Sequence, residues 1–168
     1  GVQTCALPIS RCGNYIDFGA MENVDEDILH ALLQQVHEET LEPTVYEGFK
    51  QHAANSRTLL YLCDNCGEIV LDKLFLQQLQ KQLPHLDITV MVRGGEVIND
   101  ATMKDVQQVG LHEFCTCIDS GVPLAGCDLR HISKEAYARI VSSDIIIAKG
   151  QANFESLYGC GLPIYYLL

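Results

Sequence analysis

From Arg57 onward, short apolar runs alternate with amphipathic stretches, and this alternation restricts the fold more than any other feature of the chain. Strands are predicted at Thr58–Cys63, Asp87–Val92, Glu113–Ile118, Asp144–Ala148 and Ile164–Leu168. Helical patterns lie between them: Ile69–Leu83, Ala101 to Val109, Lys134–Ser143 and a short one near Phe154–Tyr158. A strand followed by a helix every thirty residues or so is the pattern of βαβ units and a parallel sheet. The strands are apolar throughout, as strands covered on both faces must be. The expected fold class is therefore α/β: a three-layer, Rossmann-like, mostly parallel sheet with helices on both faces.

The first third has another texture. Ile28, Leu29, Leu32, Leu33 and Val36 recur at helical spacing between Asp25 and Glu39, with Asn23 or Asp25 as cap, and a second helix is expected over Thr44–Asn55. We divide the chain into a partial helical region, 10–55, and an α/β domain, 56–168. Residues Gly1–Ile9, GVQTCALPI, resemble the translation of a sequencing-adapter oligonucleotide and are read as a non-native leader. With the chain stopping inside a predicted strand, the expectation is a piece of a longer gene.

Bulk properties exclude several functions. Apolar residues make up 48% of the chain and charged ones 20%, enough to bury a core and too apolar for disorder. A net charge of −11 argues against nucleic acid or an anionic membrane as partner. Runs such as Ile145–Ala148 are far too short to span a bilayer, and no secretory signal is visible, so a soluble cytoplasmic protein is expected. Of the 8 cysteines, Cys63 and Cys66 form the only CxxC, without a second pair at zinc spacing; they read as thiols flanking Asp64-Asn65. The 6 histidines show no ligand spacing and are read as surface residues.

In open parallel sheets ligands bind beyond the carboxyl ends of the strands. The first predicted strand is followed there by Asp64-Asn65-Cys66-Gly67-Glu68, and the second by Arg93-Gly94-Gly95-Glu96, leading to Asn99-Asp100-Ala101-Thr102. Asp119-Ser120-Gly121 follows the third, and Lys149-Gly150-Gln151-Ala152-Asn153 the fourth. Asp64, Asn65 and Asp100 form an oxygen-rich set suited to a hard cation, with helix capping as the alternative, strongest for Asn99 or Asp100. Lys149 is the natural partner of a phosphate, as a mobile point charge beside a helix N-terminus; the alternative is a snorkelling surface lysine. Arg93 carries the same ambiguity. Ser120-Gly121 could supply a hydroxyl and N–H groups to a phosphoryl oxygen, or be a turn.

Together, Gly13-Asn14-x-Ile16-Asp17-Phe18-Gly19, Asp64-Asn65-x-Gly67-Glu68, Arg93-Gly94 with Asn99-Asp100-Ala101-Thr102, Ser120-Gly121 and Lys149-Gly150-Gln151-x-Asn153-Phe154-Glu155 resemble the damage-control phosphatases, in their prokaryotic branch. The resemblance implies an α/β domain preceded by a helical one, and removal of phosphate from small phosphorylated metabolites with Mg²⁺, Mn²⁺, Co²⁺ or Ni²⁺. By position it makes Asp64, Asn65 and Asp100 metal ligands and Lys149 a phosphate contact, with Asp64, Asp100 and Lys149 catalytic. Asn14, Asp17, Glu68, Arg93, Asn99, Ser120, Gly121 and Asn153 would line the substrate pocket. Cys66 stands where the family usually has alanine, and Ala152 where it has glycine.

The implied chemistry is phosphoryl transfer, with either Asp64 or a water as nucleophile. The rivals are an S-adenosylmethionine-dependent carboxyl methyltransferase and an inactive metal- or metabolite-binding fragment. The single glycine and two acidic groups of the first loop suit a cation better than a nucleotide-like cofactor.

Overall fold

The computed structural model describes residues 43–168. Helix α1 (Pro43–Asn55) leads into strand β1 (Thr58–Leu62), followed by α2 (Ile69–Gln82), β2 (Asp87–Val92) and α3 (Met103–Gln108). Then come β3 (Thr116–Asp119), α4 (Lys134–Ser142), β4 (Ile145–Lys149), α5 (Gly150–Leu157) and β5 (Ile164–Leu167). The strands form one sheet in the order β3-β2-β1-β4-β5, every neighbouring pair parallel. The sequence expectation of a parallel α/β sheet holds.

The period-2 alternation of a strand sorts its side chains onto two faces. Leu59, Tyr61 and Cys63 of the β1 run join Ile145 and Ile147 of β4 in one core, closed by Phe49 and Ala53 of α1, Phe75, Leu76 and Leu79 of α2, and Val106 of α3. Leu60 and Leu62 join Ile146 and Ala148 in the other, closed by Ala136 and Ile140 of α4 and Leu157 of α5. This gives three layers with apolar strands between two helical ones. Each fully buried aliphatic side chain contributes about 1.5–3 kcal/mol relative to exposure.

Three predicted boundaries are corrected. Glu113 does not open a strand: residues Leu111–Glu113 form a 3-10 turn and β3 begins only at Thr116. Helix α3 starts at Met103 instead of Ala101, because the Asp105 carboxylate accepts from the N–H and hydroxyl of Thr102, at 2.8 and 2.7 Å, and caps it there. Helix α5 starts at Gly150, so Gly150-Gln151-Ala152-Asn153 is its first turn and not a loop. The segments read as leader and first helix, with Asn14 and Asp17, lie outside the described residues. Among the described residues no helix is long and apolar enough to cross a membrane.

At the amino ends of the central strands, the Asp144 carboxylate accepts from the N–H groups of Arg57 and Thr58, at 2.8 and 3.0 Å, and from the Thr58 hydroxyl. These bonds tie the start of β1 to the start of β4, at the edge opposite the carboxyl ends of the strands.

Candidate active site

The loops after β1 and β2 are joined backbone to backbone. Ala101 N–H donates to Asp64 C=O at 2.7 Å, Cys66 N–H to Asn99 C=O at 2.8 Å, and Arg93 N–H to Ala101 C=O at 2.9 Å. Asn65 and Asp100 therefore sit opposite one another as an isolated antiparallel bridge. Neither caps a helix: α2 is preceded by Glu68 and α3 by Thr102. The capping alternative for Asp100 falls, because the Thr102–Asp105 pair does that work.

Arg93 lies between the two acidic side chains. Its Nε donates to Asp100 Oδ2 at 2.5 Å, and its Nη2 lies 3.6 Å from Asp64 Oδ1. Its Nη1 donates to Asn153 Oδ1 at 3.2 Å. Nη2 is buried and has no hydrogen-bond acceptor among the described residues. The Asp64 carboxylate lies against the backbone of Gly150, where a Cβ would stand 1.9 Å from Oδ2. Only glycine leaves that space, and its φ of +76° suits glycine as well. Burial pushes the Asp64 carboxyl up to about 6, with the Asp100 charge adding to the rise and Arg93 and Lys149 opposing it.

Lys149 is neither at the surface nor mobile. It ends β4 on the same face as Ile145 and Ile147, which turns its side chain inward towards α2. Its Nζ pairs with Glu68 Oε2 and, at 3.0 Å, with Asp72 Oδ1; all three side chains are fully buried. Burial alone would lower the Lys149 pKa, but the Asp72 and Glu68 carboxylates outweigh it and hold the ammonium above its ordinary value. Tyr61 donates its hydroxyl to Asp72 Oδ1 at 2.6 Å. Glu68 Oε1 accepts from Asn65 Nδ2 at 2.7 Å. Tyr61 and Asp72 were missed in the sequence because both sit inside regular elements, where Tyr reads as core and Asp as a solvated helix position.

Other expected pocket residues are committed to the backbone. The Ser120 hydroxyl accepts from Gly94 N–H at 3.0 Å and donates to Val122 C=O at 3.0 Å, and Gly121 N–H donates to Asp119 Oδ1 at 2.7 Å. The turn alternative describes these two residues. Buried Asn153 donates to the carbonyls of Cys63 and Lys149, at 3.1 and 2.7 Å, while accepting from Arg93. It fastens the start of α5 to β1. Asn99 contributes its carbonyl to Cys66, whose thiol is half-buried, while Cys63 belongs to the core.

Among the described residues Arg93 pairs with Asp64 and Asp100, and Lys149 with Glu68 and Asp72, so each cation faces two carboxylates. The side chains fit a divalent cation. Asp64 and Asp100 are hard oxygen donors, and the Asn65 amide N–H₂ is committed to Glu68 and Asp64, which leaves its oxygen as the donor. Among the described residues no three His, Cys, Asp or Glu side chains are arranged to hold a metal; the candidate set is two carboxylates and one amide.

Fold and site together define a parallel α/β protein with a cluster of acidic side chains at the carboxyl edge of its sheet. The chain belongs to the family of the damage-control phosphatase ARMT1-like domain, whose model matches residues 3–168. The match begins inside the stretch read as a leader. An uncharacterized protein of Methanocaldococcus jannaschii is 34% identical over 166 residues, covering 93% of this chain and 52% of that protein. Damage-control phosphatase PH1575 of Pyrococcus horikoshii is 28% identical over 155 residues, covering 90% of this chain and 52% of the relative. A damage-control phosphatase of Archaeoglobus fulgidus is 29% identical, covering 97% of this chain and 56% of the relative. The crystal structure of a DUF89 family protein from P. horikoshii superposes with a TM-score of 0.86 at 25% identity, over 98% of this chain and 57% of that one. The chain spans about half the length of these relatives.

Proposed function

We propose that this chain carries the site of a divalent-metal-dependent phosphatase acting on phosphate monoesters of small metabolites, such as sugar phosphates or damaged phosphometabolites. The observation that carries the reading is the pair of carboxylates, Asp64 and Asp100, that share the Arg93 guanidinium at the carboxyl edge of a parallel sheet, in a family whose named relatives are damage-control phosphatases.

Asp64, Asn65 and Asp100 would hold the cation, Mg²⁺, Mn²⁺, Co²⁺ or Ni²⁺. When bound, it supplies charge neutralisation for phosphoryl transfer. Arg93 fixes Asp100 through its Nε and turns an N–H without an acceptor among the described residues towards Asp64, where an anionic oxygen would satisfy it. Asp64 is the candidate nucleophile; the alternative is a water deprotonated by a carboxylate. Gly150 admits the Asp64 carboxylate, and Asn153 keeps Arg93 in place. Glu68 holds the Asn65 amide, Asn99, Ser120 and Gly121 hold the loops of the site through the contacts above, and Asn14 and Asp17 are proposed to complete the substrate pocket.

The test is phosphate release from p-nitrophenyl phosphate and a panel of sugar phosphates with each of the four metals, for this chain and its Asp64→Ala variant. Release that needs metal and disappears in the variant is the expected result. A folded chain that binds metal and releases nothing would instead make it a binding fragment.

A further inference from the structure

Lys149, Glu68 and Asp72 are all fully buried, and with Tyr61 and Asn65 they form a continuous polar chain from the core to the candidate ligands. Glu68 and Asp72 are four residues apart, so they project from the same face of the helical turn that begins α2. Two buried carboxylates that close repel one another, and each is costly to bury unpaired. The Lys149 ammonium resolves both problems by bridging them.

Reaching a phosphate would require Lys149 to abandon its pairing with two buried carboxylates, Glu68 and Asp72. Its effect on the site has a shorter route: one Glu68 oxygen takes Lys149 while the other takes the Asn65 amide. Fixing Glu68 fixes which face of the amide is donor, and so leaves the Asn65 oxygen as the ligand atom.

We propose that Lys149 is a positioning residue acting on the metal site through Glu68 and Asn65, and that Asp72 and Tyr61 hold it in that role. The inference rests on Asp64, Asn65 and Asp100 being the ligands of the proposed metal site. It opposes the direction simple electrostatics gives, because removing a positive charge near a cation site would by itself tighten the cation.

The experiment is calorimetric titration of the 168-residue chain with Mn²⁺ alone, for wild type, Lys149→Met, Tyr61→Phe and Asp64→Ala. Inhibition by inorganic phosphate is then measured at saturating Mn²⁺. Losing a group that orients a metal ligand typically weakens metal binding about 10–100-fold, so Lys149→Met is expected to weaken Mn²⁺ by that factor. Tyr61→Phe, which removes one hydroxyl, weakens it less but in the same direction, and phosphate inhibition is unchanged in both. Should Lys149→Met fail to fold, Tyr61→Phe decides between the two outcomes. Unchanged or tightened Mn²⁺ binding, or weakened phosphate inhibition with Mn²⁺ affinity intact, would overturn the proposal. A wild-type chain that binds no Mn²⁺ sinks the metal reading and this inference with it. Binding lost in Asp64→Ala but intact in the Lys149 and Tyr61 variants sinks this inference alone.

Discussion

Replacing Gly150 by alanine tests how closely the site is built around Asp64. Two costs are expected, and the structure separates them. A left-handed backbone is disfavoured for any residue with a Cβ by roughly 1–2 kcal/mol. Gly159 has nearly the same backbone angle, φ +78° against +76°, but nothing lies within 4 Å of where its Cβ would be. Gly159→Ala therefore measures the backbone cost alone, roughly 2–8 °C in Tm at about 2–4 °C per kcal/mol for a domain of this size. At Gly150 the new Cβ would also stand 1.9 Å from Asp64 Oδ2, more than an ångström short of the 3.0 Å that real contacts keep. The backbone at 150 directly follows β4 and starts a packed helix, so the Asp64 side chain has to move. A displacement of about 1 Å at a reacting group can cost around 100-fold in rate. Gly150→Ala is thus expected to lower Tm beyond Gly159→Ala and to weaken Mn²⁺ binding at least roughly tenfold. In an Asp64→Ala background the clash has no partner, and Gly150→Ala should cost no more than Gly159→Ala does in wild type. Thermal melts and Mn²⁺ titration of the four variants check this. Equal Tm losses for the two glycine variants, with Mn²⁺ affinity intact in both, would refute the reasoning.

Further outcomes follow from side chains committed to the backbone. Ser120→Ala strands the Gly94 loop without its buried hydroxyl bridge and is expected to cost about 1–3 kcal/mol in urea unfolding, while kcat/KM of the folded variant changes little. The reverse pattern would restore Ser120 as a substrate contact. Asp144 has its pKa held below the ordinary value by the N–H groups of Arg57 and Thr58. Its contribution is therefore present above the unfolded-state pKa of about 3.9 and is lost as pH falls through the lower folded-state value. The urea midpoint of wild type should exceed that of Asp144→Asn by a constant amount from neutral pH down to about pH 5, and the gap should close below about pH 4. A gap that persists in acid would remove the charge from the explanation.

Periodicity and loop chemistry determined a large part of this protein. Uninterrupted apolar runs such as Ile145–Ala148 have no stable place except inside a sheet covered on both faces, so the parallel α/β class was legible. So was the edge at which the candidate site gathers, because polar residues with glycine recur after each strand. The local reading failed where a side chain's partner is distant in sequence. Glu113 is a local exception: it fits a strand pattern, but the turn through Gly110 takes it first. Ser120 and Asn153 look like ligands for an anion until their distant partners, the backbones of Gly94 and Cys63, are known. Lys149 is the clearest case. Lysine is a surface residue by default, and only the parity of β4, which points it inward, and the acidic pair Glu68 and Asp72 at the start of α2, 81 and 77 residues away, make a buried ammonium stable. Spacing along the chain could nominate the carboxylates that gather at this edge. Which of them share a protein cation is decided by charges that only folding brings together.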